Sequence, residues 1–329
     1  MRQFQFQEQH ETQWQQLEEL LDGLESGRRA SKPDAQGLQA LPTLYRDICQ
    51  HLALAQSRCY SPGLIDRLHA LTLRAHHQIY KREFRIGRRI LDFLVSDFPS
   101  TLHRHARFFW LSFLLFFGPG ILFGLTCYLY PDMIYTLMDD VAVAKMESMY
   151  DPAPGNLPGR EEAMQDASRM MMFGFYVNNN TGIGFRTFAG GILAGLGTLF
   201  FLVFNGVVIG GVAGYLTRLD YIETFWGFVI GHGSFDLIAI VISGTAGLLL
   251  GKAIVAPGNY SRLEALRRNA KEAIVLVSGA ACMFVIAALI EAFWSPLPVD
   301  ASLKYGVGAL LWLLVGCYLY FTGRNTNAA

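Results

Sequence analysis

Two residues with chemistry to offer lie inside an otherwise apolar run. His232 and Asp236 sit four positions apart in Gly231-His232-Gly233-Ser234-Phe235-Asp236. A helix would place both on one face. His232 is the only one of the eight histidines that falls in the apolar part of the chain. Ionisable side chains in a bilayer core are costly and usually face a cavity or a partner, so the pair is a candidate functional site. Imidazole titrates near neutrality, which would suit a proton-linked transport step. The plainer alternative is that the two residues pair with each other or cap the ends of a broken helix, as Ser and Asp do routinely. Glycines flanking His232 favour such a break. Both readings stay open on the sequence.

Catalytic chemistry is poorly represented. His232 and Asp236 supply two of the three protein ligands that a catalytic zinc takes, and no third is evident. Ser234 and His232 are two residues apart, which on a helix points them in different directions, so an intramembrane hydrolase is a remote third reading. No H-E-x-x-H, G-x-S-x-G or P-loop pattern occurs. The expectation is a non-enzymatic protein with no catalytic residues, metal or cofactor.

Three further polar positions stand out. Asn205, in Phe204-Asn205-Gly206, lies mid-way along an apolar run, where an interhelical hydrogen bond is its simplest role. Glu291 lies near the outer end of a later run. Asn178, Asn179 and Asn180 are consecutive short amides at a point of membrane re-entry, suited to a cap or turn as much as to a ligand.

The elements that would position these residues follow from composition. The 329-residue chain is 52% hydrophobic and 16% charged, against about 25% charged in soluble domains. Net charge is zero, which gives no indication of nucleic-acid binding. The N-terminus lacks a basic stretch followed by an apolar run and does not read as a cleaved signal peptide. The five cysteines show neither C-x-x-C nor zinc-finger spacing. Residues 1–107 are expected to form a cytoplasmic helical domain with a basic juxtamembrane segment. Its amphipathic helices cover 11–24, then 33–58 with an interruption near Pro42, then a third from Ser61-Pro62. Basic runs at 81–89 and 103–107 flank an apolar stretch suited to the membrane surface and to anionic headgroups.

The transmembrane domain is expected over 108–322. Its spans are 108–130, 188–216, 272–293 and 304–322, with an outer loop at 131–187 and a cytoplasmic tail at 323–329. Ser168–Val177 reads as too short to span and as an interfacial helix. Residues 221–251 are too long for one straight crossing. The next loop carries Lys252, Arg262, Arg267, Arg268 and Lys271, which belong in the cytoplasm. The stretch is therefore expected to leave and return on one side, as a re-entrant hairpin or two short spans. Both termini would be cytoplasmic. Glycines spaced by four at 191/195, 206/210, 210/214, 227/231 and 247/251 predict close helix packing, within one chain or in a homo-oligomer. The fold class is all-α, a polytopic helical bundle behind a small soluble helical domain.

At this point the chain resembles the stage II sporulation protein M family of membrane proteins. The resemblance rests on Asn179-Asn180, on Phe204-Asn205-Gly206 in a glycine-rich span, on His232-Gly233-x-x-Asp236-Leu237, and on Ile290-Glu291-Ala292-Phe293. The family pattern usually has Glu where this chain has Asp236, so the carboxylate is kept with one methylene fewer. The long N-terminal region, with Leu41-Pro42-Thr43-Leu44-Tyr45-Arg46 and Arg74-Ala75-His76, is similar to the Gram-negative branch. The resemblance implies a scaffold subunit of an envelope-associated complex in the bacterial inner membrane. It also implies other envelope proteins or a MoxR-type AAA+ ATPase system as partners. A transporter or channel using His232 and Asp236 is the alternative.

Overall fold

The computed structural model describes residues 2–25, 35–79, 86–152 and 166–323, and these form helices with no strand among them. The basic run at 81–85, the loop stretch 153–165 with Glu161 and Glu162, and the tail 324–329 lie outside the described residues. The chain divides into two compact units, Met1–Ile86 and Gly87–Ala329.

The first unit packs α1 (Gln3–Glu25), α2 (Ala35–Ser57) and α3 (Pro62–Ile79) around one core. Each helix contributes an apolar stripe: Trp14, Leu17 and Leu21 from α1, Ile48 and Leu52 from α2, Leu64, Leu68 and Leu71 from α3. Burial of each large side chain is worth about 1.5–3 kcal/mol, which offsets the marginal stability of each helix taken singly. Helix α2 runs through Pro42 without the interruption expected there. Pro42 is exposed, and Leu41 and Ile48 on either side of it are buried in the core, so packing overrides the lost hydrogen bond. Charges fasten α3 to α1: Arg67 reaches Glu11 at 2.9 Å, and Arg74 reaches Asp22 at 2.5 Å and Glu25 at 2.8 Å. Trp14 Nε1 donates to His51 Nδ1 at 3.2 Å. Burial, and then the neighbouring His10, hold the His51 ring below the usual imidazole range, in the neutral form that can accept this bond.

The second unit begins with α4 (Ile86–Asp92), a π-helical stretch (Phe93–Asp97) and α5 (Phe98–Arg104). Residues 98–102 are buried, and a Cβ on Gly279 would collide with the Phe98 ring. The basic segment 87–107 therefore belongs with this unit, although its charge groups it with the N-terminal domain in sequence. Then follow α6 (Ala106–Leu129), α7 (Asp140–Tyr150), α8 (Asp166–Ala189), α9 (Leu196–Arg218), α10 (Ile222–Val255), α11 (Arg262–Leu289) and α12 (Ala301–Phe321). A π-helical stretch, Ile290–Trp294, extends α11. Among the described residues, α6, α9, α10, α11 with its extension, and α12 are long and apolar enough to cross a membrane.

Two expectations are corrected here. Residues 221–251 are not broken, because α10 is one continuous helix of 34 residues, about 50 Å long. It is the central element: 83% of its most apolar window is buried, against 22% for α6 and for α9. Gly231, His232, Gly233 and Ser234 are all buried, and a break there would leave backbone groups unsatisfied in an apolar interior. Secondly, 168–177 is not a separate short helix, and 188–216 is not one span. Residues 166–189 form a single helix, α8, and the chain turns at 190–195 before α9 begins.

This turn reverses the chain. Contacts Asn180–Glu291 and Gly184–Phe284 make α8 antiparallel to α11, while Gly184–Ser243 and Thr187–Gly247 make it parallel to α10. Helices α6 and α9 run parallel, with Gly120 against Gly206 and Gly124 against Gly210. Helix α8, at 24 residues, is about 36 Å long, so six of the described helices traverse the bundle. One end of it gathers 86–107, 190–195, 252–271 and the end of α12. The other gathers 130–152, the end of α9 and 290–304.

The glycine spacing is used inside the chain. A Cβ on Gly120 would lie 2.7 Å from the Gly206 carbonyl oxygen, and one on Gly124 the same distance from that of Gly210. The pair 227/231 makes only ordinary contacts. Substituting Gly210→Val should cost at least about 1–3 kcal/mol, because rigid backbone opposes it. Gly306→Val, where the added group meets open space, should cost far less. Thermal unfolding of both variants in detergent checks this, and equal shifts would contradict it.

Candidate functional site

The polar residues collect near the α7 end of the bundle. Helix α8 brings Asn180, α10 brings His232 and Asp236, and the end of α11 brings Glu291 and Ser295. Asn180 is buried and donates through Nδ2 to Glu291 Oε2 at 3.3 Å. Its own oxygen accepts from Asn179 Nδ2 at 3.1 Å. Glu291 lies close enough to Asp236 for their charges to interact. Asp236 Oδ1 is buried without a hydrogen-bond partner. The group is thus two carboxyls and an amide, set between three helices.

His232 belongs to an adjoining group. No hydrogen bond joins it to Asp236 among the described residues. Its Nδ1 instead lies 3.4 Å from Ser295 Oγ, and its ring packs edge-on to Phe228 at 5.6 Å. Lys304, buried at the start of α12, donates to the Ser295 carbonyl at 2.8 Å. Ser295 and Lys304 were not singled out in the sequence. Lys304, the one basic residue within α12, was the available signal. Tyr150, ending α7, covers this region: its carbonyl accepts from Thr224 Oγ1 at 2.5 Å, and its ring packs against Phe225 and Phe228. Burial, with the Glu291 charge as a second cause, pushes the Tyr150 phenol up to about 12.

The remaining positions stand apart from this group. Asn205 donates to the Phe201 carbonyl at 2.7 Å, one turn back in its own helix, so its amide hydrogen bond is not interhelical. Asn178 and Asn179 are exposed. The three asparagines lie in the middle of α8 and neither cap a helix nor form a turn. The cap role considered for His232 and Asp236 is also overturned, since both lie inside α10. Ser234 Oγ donates to the Gly231 carbonyl at 3.0 Å, which directs the hydroxyl back along its helix. Among the described residues no group of three or more His, Cys, Asp and Glu is placed to hold a metal ion. What the arrangement offers is a buried polar seam holding α8, α10 and α11 in register, with carboxyl oxygens that can carry a proton or face a cation.

An all-α polytopic membrane protein whose polar side chains converge inside the bundle is the class that this fold and site define. Residues 113–296, more than half of the chain, match the stage II sporulation protein M family, and the chain belongs to that family. The matched region holds Asn180, Asn205, His232, Asp236, Glu291 and Ser295, but not Lys304. Residues 4–81 match a domain of unknown function, DUF8413, within the first compact unit. Neither the curated proteins nor the solved structures gave a match.

The seam predicts unequal effects along the asparagine triplet. Asn180→Ala should cost about 1–3 kcal/mol, because Glu291 loses its donor in a buried setting. Asn178→Ala, at an exposed position, should be close to neutral. Unfolding of the two variants in a mild detergent checks the difference.

Proposed function

We propose that this chain is a non-enzymatic membrane subunit that organises an envelope-associated complex. The observation that carries the reading is the solid centre of the bundle, where α10 is enclosed by its neighbours along most of its length. A packed axis suits a rigid platform better than a conduit. The helical unit Met1–Ile86, with its own core, supplies a separate module for a soluble partner. An AAA+ ATPase system of the MoxR type, or other envelope proteins, fits the family resemblance as that partner class. Purification from native membranes should yield stoichiometric partner proteins. Removal of residues 1–86 should release the soluble ones while the remainder stays membrane-inserted. Recovery of the full-length protein alone, with the phenotype of its loss intact, would sink the scaffold reading.

The second reading is transport. The helix break that first suggested it is absent, but the Asp236, Glu291 and Asn180 group gives it a specific observation. Flux through proteoliposomes that falls in Asp236→Asn and Glu291→Gln would favour it over the scaffold.

The proposed setting is the bacterial inner membrane, with the end carrying Arg88, Arg104, Arg107, Lys252, Arg262 and Lys271 in the cytoplasm. The opposite end carries Asp132, Asp139, Asp140, Asp151, Asp220 and Asp300. With six traverses, an even number, the start of α6 and the end of α12 share the cytoplasmic side. A cysteine at Asn259 in a cysteine-free background should react only with a permeant maleimide in intact cells, and one at Asp139 with an impermeant reagent. The reverse pattern would invert the topology.

A further inference from the structure

The α6 and α12 faces of the bundle leave a cleft with α10 as its floor. At the basic end the cleft opens as a cavity of about 450 Å³. Phe109, Trp110, Phe113, Trp312 and Leu319 line it, and His103 stands at one extremity. A second cavity of about 490 Å³ continues along α6 towards Tyr128, and Trp312 borders both. Each has the size of a small-ligand pocket, too narrow for a transmembrane helix about 10 Å across. The lining is aliphatic and aromatic along most of its length, with the His103 imidazole at the basic end and only the Tyr128 and Thr217 hydroxyls at the far end, which suits a long apolar chain whose charged terminus lies at the basic end.

Charge at that end selects among such molecules. Arg107 is exposed one turn from Trp110, and Arg88 and Arg89 are exposed on α4. Arg104 is engaged by Glu272 at 2.5 Å, as is His105. His103 contacts the Leu319 carbonyl through Nε2 at 2.8 Å, and its Nδ1 has no partner. The acidic groups on these elements are Asp92 and Asp97, both exposed, besides the paired Glu272. Free basic charge therefore adjoins the mouth of the cleft. Basic pockets between transmembrane helices are where anionic headgroups are held.

We propose that the cleft between α6 and α12 is a binding site for an anionic phospholipid, with an acyl chain along Trp110, Phe113 and Trp312 and the phosphate beside Arg107 and His103. The site is independent of the acidic group at the other end of the bundle and of either functional reading. A lipid here would fill the gap between α6 and α12 above α10, bracing the perimeter of the bundle.

Tryptophan quenching by brominated acyl chains tests it on the full-length protein in phosphatidylcholine nanodiscs. At equal mole fraction, brominated phosphatidylglycerol should quench more strongly than brominated phosphatidylcholine, and the excess should saturate. The excess should vanish in the Trp110→Phe/Trp312→Phe double variant, which removes both tryptophans that line the basic-end cavity. It should also vanish in Gly316→Phe, which fills the cleft from a position where an added Cβ meets nothing within 4 Å. Arg107→Gln should weaken the preference by about fivefold. Thermal unfolding of the variants in phosphatidylcholine alone shows that each is folded. Equal quenching by both lipids would overturn the proposal, and so would an excess that survives Gly316→Phe. Efficient disulfide dimers of Gly316→Cys in a cysteine-free background would assign the cleft to a second copy of the chain instead.

Discussion

Inside a bilayer every backbone polar group must find its partner within its own helix, and lipid supplies no hydrophobic drive to bring helices together. Association then depends on how closely backbones can approach. In this protein that approach is made by glycine on glycine: Gly120 and Gly124 of α6 against Gly206, Gly210 and Gly214 of α9, and Gly247 and Gly251 of α10 against the α8–α9 turn. The second contact matters most for the architecture. It lets the turn at 190–195 tuck against α10, closed by Thr198 Oγ1 donating to the Thr187 carbonyl at 2.7 Å. The chain reverses there, and α8 becomes a full traverse of the bundle.

That reversal also decides where the polar residues meet. Running α8 antiparallel to α11 carries Asn180 to Glu291, and keeping α10 unbroken carries Asp236 beside them. A purely apolar interface between these helices could slide by a turn at little cost. Asn180 and Glu291 cannot, because a slip would strand each buried group without its partner. The seam therefore contributes register, whatever further task it performs. His232, Ser295 and Lys304 do the same on the side facing α12.

The first unit is held by different physics. Its helices are amphipathic and bury one stripe each, so Trp14, Leu17, Leu68 and their neighbours drive its assembly, and the ion pairs of Arg67 and Arg74 trim its surface. Partly exposed pairs of this kind are worth little, about 0–1 kcal/mol each, and set orientation more than stability.

The all-α polytopic class and the family were legible in the sequence, because apolar run lengths and a few motif residues report them directly. Asn180, His232, Asp236 and Glu291 were visible individually too, though Ser295 and Lys304 were not. Their grouping was not. Spacing of four suggested that His232 pairs with Asp236, yet His232 turns to Ser295 and Asp236 to the region of Glu291. Hydropathy likewise undervalued α8, whose asparagines and arginines make it look too polar to traverse, and overvalued the glycines of α10 as a break. The reason is the same in each case. A residue's type and neighbours in sequence set what it can bond to, whereas which partner lies within reach depends on helix direction and register, and those are settled only when the glycine faces close on one another.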